Sequence, residues 1–144
     1  MIMTHIFTFL LFVLMCRSSN AAFTGTLPTG LHSYAQNAII NNHNNVLNSD
    51  PNYSGGIYTV PAGQAGTYLV SVTMMSGDDS THTTLMKNGA IYVWLYTGEK
   101  YEMATQTVSM TLVVGDQIRV QMTNKASTLF DVYNTFTVAK IESP

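Results

Sequence analysis

The sequence predicts an all-β domain, an antiparallel β-sandwich or jelly roll, and three observations point there. No run of strong helix formers at a spacing of 3.6 exceeds two turns. Thr, Val, Ile and Tyr are frequent, and turn residues recur every ten or so positions. Several segments alternate apolar and polar residues with the period of two that puts one row of side chains on one sheet face.

Along the chain, Ile6 to Met15 reads IFTFLLFVLM and is followed by small and polar residues, with Ser19 and Ala21 in a Ser-x-Ala pattern. A bilayer-spanning helix needs roughly 20 apolar residues, about twice this run, so residues 1–21 are expected to be a signal peptide cleaved after Ala21. Met1 to His5 carries no Lys or Arg, which leaves a short uncleaved anchor as the alternative. The mature domain is then 22–144, secreted and mildly acidic, because Arg17 leaves with the leader together with Cys16, the sole cysteine.

Asn37 to Tyr53 is rich in Asn and punctuated by Asp50-Pro51, which reads as a loop with a short edge strand. Tyr68, Val70, Val72 and Met74 alternate with Leu69, Ser71 and Thr73, the pattern of a half-buried strand. Thr84 to Lys87 and Ala90 to Val93 flank Asn88-Gly89, the pair best suited to the two positive φ angles of a type I′ turn, so a hairpin is expected. Val108, Met110 and Leu112 alternate up to Val114-Gly115-Asp116-Gln117, and Ile118, Val120 and Met122 alternate beyond it. The same logic makes this a second hairpin. A last strand is expected from about Tyr133 to Ile141.

Composition excludes several function classes. Of 144 residues, 46% are hydrophobic and only 10% charged, with a formal charge of −2, so no basic field exists to hold nucleic acid. Without Cys16 the mature chain has no thiol for a disulfide, a zinc cluster or a nucleophile, and stability must come from packing or assembly. His32, His43 and His82 lack a Gly-x-Ser-x-Gly elbow to serve, and no Gly-rich loop opens a helix to cradle a phosphate. An enzyme is not expected. Tyr58, Tyr68, Tyr92, Trp94, Tyr96, Tyr101, Phe130, Tyr133 and Phe136 are many aromatics for one thin core, and an apolar face between subunits would absorb the surplus.

Several motifs, in order, resemble the globular domain of complement C1q and its relatives. They are Ala22-Phe23-Thr24-Gly25; Val46-Leu47-Asn48; Gly56-Ile57-Tyr58-Thr59-Val60-Pro61 with Gly66-Thr67-Tyr68; Leu85-Met86-Lys87-Asn88-Gly89; Leu112 to Ile118 around Gly115-Asp116; and Thr135-Phe136-Thr137-Val138. Val138 stands where these relatives usually have Gly, and no Gly-X-Y collagen tract precedes the domain, so a leader followed directly by one head is expected. The resemblance covers nearly the whole mature chain. It implies a ten-stranded jelly roll shared with tumour-necrosis-factor ligands, assembled as a homotrimer, and a secreted, lectin-like recognition role toward glycans or other microbial and cell-surface groups in innate immunity. The rival expectations are an extracellular structural or adhesive protein and a cytokine-like receptor ligand.

Candidate site residues follow. No cofactor is required, but calcium suits hard carboxylate and carbonyl oxygens, and some relatives hold it near the trimer apex. Glu99 and Glu102, in the loop before the Val108 strand, are the candidate calcium ligands, since three subunits would turn two carboxylates into six. His82 near Asp78-Asp79 is the only local zinc candidate. Asp78 and Asp79 form a second acidic loop, and Lys87 and Arg119 could contact an anionic ligand, with solvated charge as the simpler reading for all four. Asp116 is explained by a turn that caps its own backbone. Asn52-Tyr53-Ser54 is an N-glycosylation sequon.

Overall fold

The structure, a computed structural model, describes residues 22–41, 45–47 and 51–144. The expected leader, Cys16, His43 and Asn48 lie outside the described residues. Among the described residues there is no helix, and so none long and apolar enough to cross a membrane. The strands are β1 (Ala22–Thr26), β2 (Leu31–Tyr34), β3 (Asn45–Leu47), β4 (Tyr53–Ser54), β5 (Ile57–Thr59), β6 (Gly66–Met75), β7 (Thr81–Lys87), β8 (Ala90–Thr97), β9 (Met103–Leu112), β10 (Gln117–Met122), β11 (Ser127–Phe130) and β12 (Thr135–Glu142). Ten of them form two five-stranded antiparallel sheets, in the orders β3-β1-β12-β6-β9 and β4-β5-β10-β7-β8, and β2 pairs with β11 in a separate ribbon. This is the expected ten-stranded jelly-roll sandwich with a two-stranded ribbon added.

Period-two alternation builds the core between the sheets. Tyr68, Val70, Val72 and Met74 of β6 all point inward, as do Phe136 and Val138 of β12, and they meet Tyr58, Leu85, Leu95, Ile118, Val120 and Met122 from the second sheet. Phe23 is the hub. Its ring stacks on Tyr53 at 4.3 Å between centroids and on Tyr58 at 5.5 Å, and meets Phe136 edge-on at 5.2 Å. Burying such rings stabilises the fold by roughly 2–3 kcal/mol each before packing terms are added.

The β7–β8 hairpin forms as expected. Lys87 pairs with Ala90, and Asn88 (φ 51°) and Gly89 (φ 82°) supply the two left-handed conformations that a type I′ turn demands. The second expected hairpin does not form. β9 pairs with β6 at the edge of the first sheet, whereas β10 lies between β5 and β7 in the second. Residues 113–116 therefore arch from one sheet to the other. Leu112 and Ile118 are both fully buried because each lies on the inner face of its own sheet, and Val113 and Val114 at the crest are exposed.

Gly66 begins β6 at φ 153°, and a Cβ placed there would lie 2.1 Å from the carbonyl oxygen of Glu142. The Gly of the Gly-x-Tyr motif is thus a close-approach position, where β12 ends on the start of β6 after a register shift between Lys140 and Glu142.

Candidate assembly and recognition surfaces

The outward face of the first sheet is a lattice of small hydroxyl side chains. Register aligns Thr24, Thr137, Ser71 and Thr107 in one row across β1, β12, β6 and β9, and Thr26, Thr135, Thr73 and Thr105 in the next. A third row is Ala22, Ala139, Leu69 and Ser109. None of these twelve positions is charged. Hydroxyls pair across strands, Thr24 with Thr137 at 2.9 Å, Ser71 with Thr107 at 2.9 Å and Thr73 with Thr105 at 3.0 Å. A face whose polar groups already satisfy one another can lose its water cheaply, because covering it orphans few donors.

A second, different surface lies along one side of the sandwich, where the edge strands β8 and β9 of the two sheets neighbour each other. A register shift opposite Leu85 and Met86 leaves Tyr92 as an extra residue on β8, and its hydroxyl approaches the Ser109 carbonyl of β9 at 3.4 Å. Tyr92 and Met103 are among the large apolar side chains exposed on this edge.

The acidic candidates are already engaged or lie apart. One Glu102 carboxylate oxygen accepts the backbone N–H groups of Gly98 (2.5 Å) and Glu99 (3.1 Å), so this side chain caps its own turn. One chain therefore offers calcium two carboxylates, one of them half occupied, and among the described residues no three His, Cys, Asp or Glu side chains gather as a metal would need. Lys100 sits over the Tyr101 ring, 5.0 Å from its centroid. Tyr101 (φ 63°) packs on Phe130 at 4.9 Å, and Phe130 stacks on Tyr133 at 6.3 Å, an aromatic loop cluster at one end of the sandwich.

Asp78 lines a shallow pocket of about 220 Å³ with Ser33, Tyr34, Ala126, Ser127 and Thr128. Behind it runs a buried hydroxyl relay, Ser76 to Thr81 at 2.9 Å and Thr81 to Ser127 at 2.7 Å, from which Ser127 donates to Asp78 at 3.4 Å. Asp79 is exposed. His82 is not brought to this acidic loop. It stands on the outward face of the second sheet, bonded to Asn124.

Lys87 is committed within the chain, 3.2 Å from Asp116 and donating to the Thr111 carbonyl at 2.9 Å. Arg119 lies half-buried on the outer face and donates from Nε to the Gln121 side-chain oxygen at 3.3 Å. Asn52 precedes β4, its carbonyl accepting the Thr59 N–H at 3.0 Å, and the next residue, Tyr53, is stacked on Phe23. Burial pushes the Tyr53 hydroxyl pKa well up, and the neighbouring Tyr34 adds to that.

Solved structures with this architecture decide the fold. The Eiger TNF of S. frugiperda superposes with a TM-score of 0.70 at 15% identity, over 87% of this chain and 94% of that one. The globular domain of the zebrafish complement 1qA protein matches with a TM-score of 0.65 at 15% identity, over 88% of this chain and all of that one. The fold is that of the C1q/TNF superfamily. Murine APRIL agrees, with a TM-score of 0.63 at 13% identity over 85% of this chain and all of its own. No protein-family model matches the sequence, and a search of curated proteins finds none that matches. Within the C1q/TNF fold, the sequence assigned no role to the two hydroxyl rows, whereas it counted the outward rings of β8 among the aromatics expected outside the core. The alternation of β6 already placed Ser71 and Thr73 outward, but only cross-strand register joins them to Thr107 and Thr105.

Proposed function

We propose that this chain is a secreted recognition module, a homotrimer that binds glycans or other repeated groups on microbial or cell surfaces in innate immunity. The hydroxyl lattice of the first sheet carries the reading. It is uncharged and internally hydrogen-bonded, and it differs from the apolar β8–β9 edge, so one copy's edge can seat on the next copy's face. Contacts between two unlike patches close into a ring when the rotation between copies permits it, and a ring of three presents each recognition surface three times. Repetition converts weak single contacts into useful avidity on a repetitive surface.

The zebrafish complement domain among the similar structures supports this reading. A second reading, a ligand for a cell receptor, is favoured by the TNF and APRIL structures that share the fold. Binding of the mature chain to a panel of microbial and host glycans, set against saturable binding to cells, separates the two. Glycan capture that depends on assembly supports the first, and saturable cell binding with no glycan capture overturns it.

Two accessory features belong to the proposal. Calcium would require the Glu99 and Glu102 pairs of several subunits at one axis, and loss of glycan capture in EDTA would reveal it. A glycan on Asn52 would show as a mass decrease on glycosidase treatment of secreted protein.

A further inference from the structure

We infer that the outward face of the second sheet carries a platform for an uncharged pyranose sugar, centred on Trp94, Tyr96 and His82. The inference rests on the recognition reading above and names the surface that does the recognising.

Register sets the platform. On β8, Trp94 and Tyr96 point outward on either side of the buried Leu95, and on β7 their direct partners are Thr84 and His82. Trp94 is 46% exposed and Tyr96 58% exposed. Single exposed apolar residues are ordinary, but adjoining rings held on paired strands are a built surface. His82 meets Tyr96 at 4.5 Å and Trp94 at 6.1 Å between centroids, edge-on to both. The Asn124 amide donates to His82 Nδ1 at 2.7 Å, which leaves Nε2 as the N–H of the neutral ring.

The chemistry around the rings selects the ligand. A pyranose presents one face of C–H groups, which the electron-rich face of an aromatic ring attracts, and a rim of hydroxyls that pair with amides and imidazole. Gln121 faces outward in the row of Thr84 and Trp94, and Asn124 holds the end of the next row, so neutral donors and acceptors flank the rings. No carboxylate lies on the outward positions of β5, β7, β8 or β10. The one cation, Arg119, is held by Gln121. Beyond those strands the nearest carboxylate, Glu102, flanks Gly98 together with the Tyr96 hydroxyl and is held by two backbone N–H groups, and an anionic partner finds a single engaged arginine. The platform lies on the side of the sandwich opposite the hydroxyl lattice, so the lattice half of the assembly contact does not cover it.

Trp94 is the only tryptophan of the chain, so its emission reports this surface alone. The test titrates the intact protein with β-1,3-glucan and chitin hexasaccharides, and with oligogalacturonate as the charged comparison. A saturable change in Trp94 emission with a neutral hexasaccharide is expected, at a Kd of roughly 1 mM per site. Tyr96→Ala and His82→Ala should each weaken it about tenfold or more, and Tyr96→Phe, which keeps the ring, should retain it, all with unchanged circular dichroism and solution mass. An unchanged emission with every neutral oligosaccharide overturns the platform. If the protein still captures glycans on a panel, the recognition reading survives; if it captures none, both fail. A response to oligogalacturonate alone, full binding by Tyr96→Ala, or dissociation of the assembly in that variant also overturns it.

Discussion

Lys87 Nζ lies 3.2 Å from Asp116 Oδ2, and this ion pair joins the β7–β8 turn of one sheet to the arch that leaves the other. Asn88 completes the joint. Its amide donates to Asp116 Oδ1 at 2.8 Å, its side-chain oxygen accepts the Gln117 N–H at 2.8 Å, and Asp116 Oδ2 accepts the Val113 N–H at 3.0 Å. Val60 is tied to the same corner through the Asp116 carbonyl and the Gly115 N–H, both at 2.9 Å. Three separated stretches of sequence thus converge, and the chemistry of the corner is structural, with Asp116 acting as a hub of the fold.

The corner makes stability depend on acid. Burial alone would raise the Asp116 pKa, but the Asn88 amide, the Val113 N–H and Lys87 together hold it below its ordinary 3.8. A depressed carboxylate stabilises the fold fully above its unfolded value and loses that contribution as pH falls through the folded one. The melting temperature should therefore drop below about pH 4. Asp116→Asn should be less stable at pH 7 by roughly 1–3 kcal/mol and show a flatter melting profile between pH 6 and pH 2, read by circular dichroism.

Lys87→Met should cost far less, within about 1 kcal/mol in chemical denaturation, because the lysine side chain is 30% exposed and its partner keeps two other donors.

Gly66→Ala places a methyl 2.1 Å from the Glu142 carbonyl oxygen in a conformation that L residues avoid. The end of β12 must then detach from β6. A loss of roughly 3 kcal/mol or more is expected, together with faster amide exchange at residues 139–142.

Phe23→Ala removes the ring on which Tyr53, Tyr58 and Phe136 converge. A loss of about 3–5 kcal/mol in denaturant unfolding is expected, with no separate effect on ligand capture in the fraction that remains folded.

Much of the fold was legible in the sequence, and what was missed has a common cause. The β6 alternation and the Asn88-Gly89 turn are local signals, and both hold. The segment 108–122 misleads because a tight Gly115-Asp116 turn between two alternating strands reads alike whether the strands pair or cross between sheets. What decides is that β6 claims β9 while β5 and β7 claim β10, and those partners lie far away in the sequence. The β2–β11 ribbon was invisible for a similar reason: Leu31 is exposed and Tyr34 buried, so a four-residue strand gives no clear apolar row. The aromatic surplus correctly pointed to rings outside the core, namely Tyr92, Trp94, Tyr96, Tyr101 and Tyr133. Lys87 and Arg119 were candidates because they are charged, and each proves to be held by a side chain of the same domain.

The central claim is that the hydroxyl face of the first sheet joins copies of this chain into threes. Sedimentation equilibrium of the mature protein, beside Ser71→Arg, tests it most directly, since Ser71 lies mid-lattice and a charge there cannot be covered without penalty. The account predicts a mass three times that of one chain for the native protein and a folded monomer for Ser71→Arg. A native protein that sediments as a folded monomer at micromolar concentration, or a Ser71→Arg variant that still sediments as a trimer, would contradict it.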